Sequence, residues 1–172
     1  ELTLVQKEAK EAAKKIALKI PNLKDCKYHR GEDGEEGEKS MIFLTEGQSA
    51  SGSMVSARDV YHQAIFSLRG KPQNMYGRRR TAIYQNEELY NLMIALGIEH
   101  SVEDLRYGKV IIATDADHDG YHIRNLLLTF FLNYFEELVL AGRLFILETP
   151  LFRVRNKQET RYLSLIHISE PT

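Results

Sequence analysis

The sequence predicts an α/β fold in which helices flank a largely parallel sheet, and three observations support this prediction. Short apolar, β-branched segments alternate along the chain with segments of helical spacing. Two of the apolar segments, 41–45 and 110–113, are followed closely by acidic residues and glycine, an arrangement typical of functional strand ends in α/β sheets. Hydrophobic residues make up 43% of the 172 residues, which is enough for the core of one domain.

The individual elements follow from local signals. Residues 1–20 contain good helix formers and stop before Pro21, which predicts a helix. Residues 31–40 are acidic and rich in glycine, which predicts a mobile loop. The next elements are a strand over 41–45, a turn over 46–53, a helix to about residue 63 and a strand over 64–68. A helix over 86–96 follows, with Asn86 as its cap and Gly97 as its end, and then a strand over 110–113. The last elements are a long helix, a strand over 143–147 and a hairpin over 151–163, and the apolar face of the long helix is marked by Ile123, Leu127, Phe130, Tyr134 and Leu138. Residues 164–172 match none of these patterns and are predicted to be a non-native tail.

Three aspartates follow the strand 110–113 at alternate positions: Asp115, Asp117 and Asp119, with Gly120 directly after them. Carboxylates this close together repel one another unless a cation lies between them. Hard divalent cations take oxygen ligands, and Mg²⁺ typically uses one or two carboxylates together with water and phosphate. The pattern therefore predicts a divalent-metal site at the carboxyl end of a buried strand.

Two other interpretations of the aspartates have different consequences. A calcium loop of the EF-hand type needs a preceding helix and a bidentate glutamate at its twelfth position. The twelfth residue counted from Asp115 is Leu126, and the residues before Asp115 favour a strand, so this interpretation is disfavoured. The second alternative is an ordinary surface turn rich in aspartate.

Glu46 repeats the arrangement, because it directly follows the strand 41–45 and precedes a glycine. The ends of neighbouring parallel strands lie side by side. We therefore expect Glu46, Asp115 and Asp117 to lie within a few ångströms of one another, with Asp119 at the rim. For Glu46 taken alone, an ordinary exposed carboxylate is the alternative.

A basic segment, residues 67–80, which we call the basic loop, lies between the two acidic motifs. It contains no acidic residue, and its five cations are Arg69, Lys71, Arg78, Arg79 and Arg80. Together with Asn74, these side chains suit contacts to nucleic-acid phosphates. A basic loop on a chain of net charge −1 is often only a solvated surface, but beside an acidic metal site its cations can hold a nucleic-acid strand.

The composition excludes several classes of protein. Cys26 is the only cysteine, which excludes an intramolecular disulfide and a cysteine-based metal cluster. The most apolar stretch, 123–140, contains Arg124 and Glu136, so it is a poor membrane span. No Walker-type phosphate loop is present in this sequence. We expect a cytoplasmic protein without membrane contact.

The motifs resemble the toprim region of the B subunits of bacterial type IIA DNA topoisomerases, which include topoisomerase IV and DNA gyrase. The segments that carry the resemblance are 43–50, 67–74 and 115–124, flanked by 20–26 and 149–154. They occur in the family's order within residues 20–163. The resemblance implies a toprim-like fold for residues 21–163, and it assigns residues 1–20 to the end of an upstream transducer domain.

The resemblance also implies the chemistry of the acidic residues. Glu46 and Asp115 would ligate a catalytic Mg²⁺ ion, for which Mn²⁺ could substitute. Asp115 and Asp117 would serve a second metal position, with Asp119 in a supporting role. In the family these groups assist a reversible transesterification of DNA, in which a tyrosine attacks a phosphodiester.

The remaining implications concern DNA and partners. Lys71 and Asn74 would contact DNA, with Arg69 beside them. The A subunit would supply the nucleophilic tyrosine within an A2B2 assembly, and an upstream domain would bind ATP. Three alternatives stay open: another toprim enzyme of the nuclease or primase type, a non-catalytic metal-dependent DNA-binding module and, within the topoisomerases, gyrase as against topoisomerase IV.

Overall fold

The computed structural model describes residues 20–148, 150 and 152–163. Its elements in chain order are β1 (Leu23–Lys24), α1 (Gly34–Glu38), β2 (Met41–Glu46), α2 (Gly47–Ala57), β3 (Gln63–Leu68), α3 (Glu87–Leu96), β4 (Lys109–Ala113), α4 (His118–Tyr134), α5 (Glu136–Leu140), β5 (Leu144–Ile146), β6 (Phe152–Arg155) and β7 (Thr160–Leu163). Single 3-10 turns lie at Arg80–Ala82 and Val102–Asp104. Residues 1–19 of the predicted helix and the tail 164–172 lie outside the described residues.

Five strands form one sheet in the order β1-β3-β2-β4-β5. The pairs β2–β3, β2–β4 and β4–β5 are parallel, and only the short edge strand β1 is antiparallel to its neighbour. The predicted α/β fold with a largely parallel sheet is therefore confirmed. Strands β6 and β7 form the separate antiparallel hairpin that the sequence predicted.

The core lies between this sheet and the helices that cover it. Ile42 and Leu44 of β2 and Phe66 of β3 are completely buried, because a parallel sheet is covered on both faces. Helices α3 and α4 contribute their apolar residues to the same cluster. Among the described residues, none of the helices combines the length and hydropathy that a membrane-spanning helix needs.

The structure corrects three predicted boundaries. Residues 34–38 form α1 instead of a loop, and Glu38 of this helix accepts hydrogen bonds from Arg30 and Arg143 at 3.1 and 2.8 Å. The turn predicted over 46–53 is replaced by α2, which begins at Gly47 and ends at Ala57, well before residue 63. The long helix predicted as far as Leu138 is interrupted at Phe135, whose φ of −140° is not helical.

Candidate metal centre and its basic loop

Glu46 and Asp115 lie at the same edge of the sheet, at the carboxyl ends of the adjacent strands β2 and β4. The register pairs Thr45 with Ala113. Glu46 therefore follows this pair by one residue and Asp115 follows it by two. Because neighbouring strands are about 4.8 Å apart, the fold brings the two acidic motifs together across a single strand spacing.

The electrostatics of Glu46 show that the acidic residues share one environment. Its pKa is raised, first by partial burial and then by the negative charges of Asp117, Asp119 and Asp115, while the positive charge of Lys71 lowers it. Glu46 is half-buried, whereas the three aspartates are exposed. Repulsion between the carboxylates at the strand ends therefore favours the binding of a cation.

Asp117 also begins helix α4. Its backbone is extended, and its Oδ1 atom accepts a hydrogen bond of 2.7 Å from the amide of Gly120, which caps the helix. The first turn of α4 packs closely against the backbone of Asp115. A Cβ atom at Gly120 would lie only 2.1 Å from the carbonyl oxygen of Asp115. The close contact requires glycine and holds Asp115, Asp117 and the helix start in a fixed relation.

The basic loop meets the acidic residues at Lys71. Its Nζ atom lies 2.7 Å from Oδ1 of Asp119, and both side chains are exposed. The hydrogen bond and the charge attraction raise the pKa of Lys71 and lower that of Asp119. Lys71 also interacts electrostatically with Glu46 and Asp117, so one cation of the loop faces the carboxylates of Glu46, Asp117 and Asp119. We call these three residues together with Asp115 the acidic edge.

The carboxylates are more widely spaced than the sequence led us to expect. Among the described residues, no three of Glu46, Asp115, Asp117 and Asp119 offer oxygen atoms that all lie within 4.8 Å of one another. Repulsion between the carboxylates opposes a tighter arrangement. The donor set still fits Mg²⁺, because its ligands are all oxygens and Mg²⁺ needs only one or two carboxylates beside water and phosphate.

The two other residues that we expected at the DNA contact have partners within the chain. The Nε atom of Arg69 donates to Oδ1 of Asn22 at 3.1 Å. The Oδ1 atom of Asn74 accepts from the amide of Tyr76 at 3.0 Å, in an exposed turn. Both residues are exposed, but the side chain of Arg69 is hydrogen-bonded to another part of the chain, while Asn74 bonds to its own turn.

A second cluster of potential ligands, which the sequence analysis did not single out, lies around Asp25. Ligand atoms of Asp25, Cys26 and His29 lie within 4.8 Å of one another. A cation already occupies this cluster: Nη2 of Arg106 lies 2.6 Å from Oδ2 of Asp25 and 2.9 Å from Nε2 of His29. The group is therefore an ion-pair network. No local spacing in the sequence could have revealed it, because Arg106 is 81 positions from Asp25.

The comparison with known families agrees with this geometry. The Toprim domain family matches residues 41–149, which include both acidic motifs and the basic loop. The chain belongs to the Toprim domain family. The match begins with β2 and so contains every element that positions the acidic edge of this toprim domain.

Relatives of this toprim domain are B subunits of DNA topoisomerases. It is 68% identical over 162 residues to the B subunit of DNA topoisomerase 4 from Borreliella burgdorferi, covering 94% of this chain and 27% of that protein. It is 38% identical to the B subunit of DNA gyrase from Mycoplasmoides gallisepticum, covering 93% of this chain and 26% of that protein. The chain thus spans about a quarter of the length of these curated relatives.

A solved structure agrees with the fold of this toprim domain. The DNA-binding, cleavage and re-ligation domain of Plasmodium falciparum topoisomerase II superimposes with a TM-score of 0.73 at 25% sequence identity. The similarity covers 86% of this chain and 21% of that one. In that case the matching α/β fold makes up about a fifth of a longer chain.

Proposed function

We propose that this chain supplies the metal-binding half of the DNA cleavage and religation centre of an ATP-dependent type IIA topoisomerase. The observation that carries the proposal is the meeting of three features at one sheet edge: Glu46 after β2, the aspartates after β4 and the ammonium group of Lys71 beside Asp119. A metal that acts on phosphodiesters needs cations nearby to hold the strand. The similarity to topoisomerase B subunits supports the same assignment.

In this proposal the carboxylates of Glu46, Asp115 and Asp117 hold Mg²⁺, with Asp119 in a supporting position. The metal, when bound, supplies positive charge that stabilises the leaving oxygen of the phosphodiester and orients the scissile phosphate. Glu46 is also suited to hold a proton during religation, because partial burial and the neighbouring carboxylates raise its pKa. Lys71 and Asn74 would position the DNA backbone through contacts with phosphate oxygens.

The nucleophile in this proposal comes from elsewhere. We assign none of the nine tyrosines of this chain to attack on phosphorus, and we propose that an A subunit supplies the tyrosine within an A2B2 assembly. ATP would bind another domain of the longer protein, with residues 1–20 belonging to the segment that leads to it. The identity to the topoisomerase 4 subunit is 68%, against 38–43% for gyrase B subunits, which favours topoisomerase IV as the parent enzyme.

The decisive experiment measures covalent DNA–protein complexes in Mg²⁺ with the full-length protein, in the presence and absence of its A subunit. We expect complexes only with the A subunit, and we expect the phosphotyrosine on that subunit. Asp115→Ala should abolish them while ATP hydrolysis continues, because the two reactions belong to different domains. A covalent adduct on the present chain, or normal cleavage by Asp115→Ala, would overturn the proposal.

A further inference from the structure

The three residues Arg69, Gly70 and Lys71, which we call the anchored loop, follow directly from the end of β3 at Leu68. Gly70 has a φ of +91°, a conformation that strongly favours glycine. Lys71 then lies 2.7 Å from Asp119. Lysine side chains are long and flexible, so a defined position of Lys71 depends on what fixes the backbone beneath it.

The first anchor of this loop is Glu88. Its carboxylate accepts a hydrogen bond from the backbone amide of Arg69. Glu88 stands in the first turn of α3, whose start is fixed by Asn86 accepting from the amide of Leu89 at 2.9 Å. Burial is the main cause that raises the pKa of Glu88. A half-buried carboxylate on a rigid helix start is therefore joined to the backbone two residues before Lys71.

The second anchor is Asn22, which binds the same segment twice. Its carbonyl oxygen accepts from the amide of Ser67 at 3.0 Å, and its Oδ1 atom accepts from Nε of Arg69 at 3.1 Å. Asn22 has a φ of +71°, a left-handed conformation that only a few residue types other than glycine tolerate. The chain before the sheet is thus held against the start of the anchored loop.

We propose that Glu88 and Asn22 are positioning residues that hold the anchored loop so that the ammonium group of Lys71 faces the acidic edge and the DNA phosphate. Arg69 serves in this arrangement as a link to Asn22 and not as a DNA contact. The functional part of the inference rests on the proposed role of the site in DNA cleavage. The geometric part concerns only the distance between Lys71 and Asp119.

The geometric part is tested without DNA. A carbodiimide joins an amine to a carboxylate only when the two are in contact, and mass spectrometry of the treated full-length protein measures the Lys71–Asp119 product. We expect the yield to fall about fivefold in Glu88→Ala and in Asn22→Gly, since each removes one charged or polar hydrogen bond to the loop. Asn22→Gly keeps the left-handed backbone accessible. Glu88→Gln should retain the yield, because the side-chain amide oxygen still accepts the hydrogen bond from the backbone amide of Arg69. The matched control is Glu87→Ala, at the exposed neighbouring position.

The functional part is tested by DNA affinity in the assembled enzyme. Lys71→Ala and Glu88→Ala should each weaken binding by about tenfold, and the double variant should be little weaker than either, because Glu88 acts through Lys71. Fully additive losses, or an unchanged crosslink yield in Glu88→Ala, would overturn the positioning role. A reduced crosslink yield together with wild-type DNA affinity of Lys71→Ala would instead uphold the positioning and overturn the proposed DNA contact.

Discussion

Arg106 and Asp25 form an ion pair with 2.6 Å between Nη2 and Oδ2, although 81 positions separate them in the chain. Asp25 also accepts a hydrogen bond of 2.6 Å from the hydroxyl of the fully buried Tyr107. The pair thereby joins the segment after β1 to the residues that lead into β4. This network lies at the amino end of β4, away from the acidic edge, so its contribution to stability can be measured apart from metal binding.

We predict that Asp25→Ala lowers the free energy of unfolding by about 3 kcal/mol, because it leaves the half-buried guanidinium of Arg106 without its carboxylate partner. Burial by itself raises the pKa of Asp25, but the hydrogen bond with His29 and the charge of Arg106 bring the pKa well below its usual 3.8. The stabilisation is therefore present above pH 3.8 and is lost as the pH falls through the lower folded value. Urea unfolding between pH 2 and pH 7 measures both effects. The exposed Asp104→Asn is the control and should change stability by less than about 0.5 kcal/mol.

His62 should give stability an opposite dependence on pH. Hydrogen bonds to Asp59 and Glu36, at 2.6 and 2.7 Å, raise its pKa above 6.5. Protonation of His62 is thus favoured in the folded state, and the resulting stabilisation is present below pH 6.5 and is lost as the pH rises through the raised value. Denaturation midpoints measured from pH 5.5 to pH 9 should show this loss in the wild type and not in His62→Gln. The same loss in His62→Gln would refute the assignment, and the exposed His100→Gln should behave as wild type.

Mg²⁺ should stabilise the folded chain through the acidic edge. At ten times its dissociation constant, a ligand that binds only the folded state adds about 1.4 kcal/mol. We expect thermal melts to show this gain in the wild type and to lose it in Glu46→Gln and in Asp115→Asn. Wild-type melts that do not respond to millimolar Mg²⁺ would count against the metal site.

Asp117 offers a separate test, because it combines a negative charge with a helix cap. Asparagine caps helices as well as aspartate does, so Asp117→Asn should remove repulsion and raise the melting temperature in the absence of metal. Asp117→Ala also removes the 2.7 Å bond to Gly120 and should cost about 1 kcal/mol relative to Asp117→Asn. Equal melting temperatures for the two variants would show that the cap contributes nothing.

Salt dependence distinguishes a DNA contact from a surface charge. Lys71→Ala should weaken DNA binding for every sequence and reduce the slope of log K against log salt by about 0.9, the contribution of one phosphate contact. Asn74→Ala should cost less and leave the slope unchanged, because the amide is neutral. The exposed Lys109, at the amino end of β4, is the matched control, and an equal effect of Lys109→Ala would indicate only a general charge effect.

Two glycine-to-alanine substitutions should change stability in opposite directions. Gly120→Ala places a Cβ atom 2.1 Å from the carbonyl oxygen of Asp115, so it should cost about 1–3 kcal/mol and weaken Mg²⁺ binding by moving Asp115. Gly52→Ala, within helix α2, meets no atom within 4 Å and should stabilise by about 0.5–1 kcal/mol. Urea titration measures both, and a stable, metal-binding Gly120→Ala would refute the close contact.

The sequence predicts well those parts of the fold that carry local signals. Helix α3 has its cap at Asn86 and its end at Gly97, whose φ is +77°, where they were predicted. The strand positions of β2 and β4 follow from apolar β-branched runs bounded by acidic residues. Local composition suffices here because capping and burial depend on neighbouring residues in the chain.

The remaining features depend on contacts between distant residues. Helix α1 forms in a glycine-rich segment because Glu38 meets Arg30 and Arg143, which the segment's own composition does not indicate. The hydrogen bond of Arg69 depends on Asn22, 47 positions away. The separation of Glu46 from the aspartates likewise depends on the pairing of β2 with β4, which are distant in the chain. Sequence patterns locate such residues at an edge but do not fix the distances between their side chains.

The position of β2 and β4 within the sheet has a consequence for fluctuations of the folded state. Both strands are interior, since β2 lies between β3 and β4, and β4 lies between β2 and β5. Local opening usually begins at sheet edges, where each strand has one neighbour. Amide hydrogens of Ile42, Leu44 and Ile112 should therefore exchange with solvent only on near-global unfolding. Partial opening of β1 or β5 would leave Glu46 and Asp115 at the same separation, so the acidic edge should survive the fluctuations that expose the outer strands.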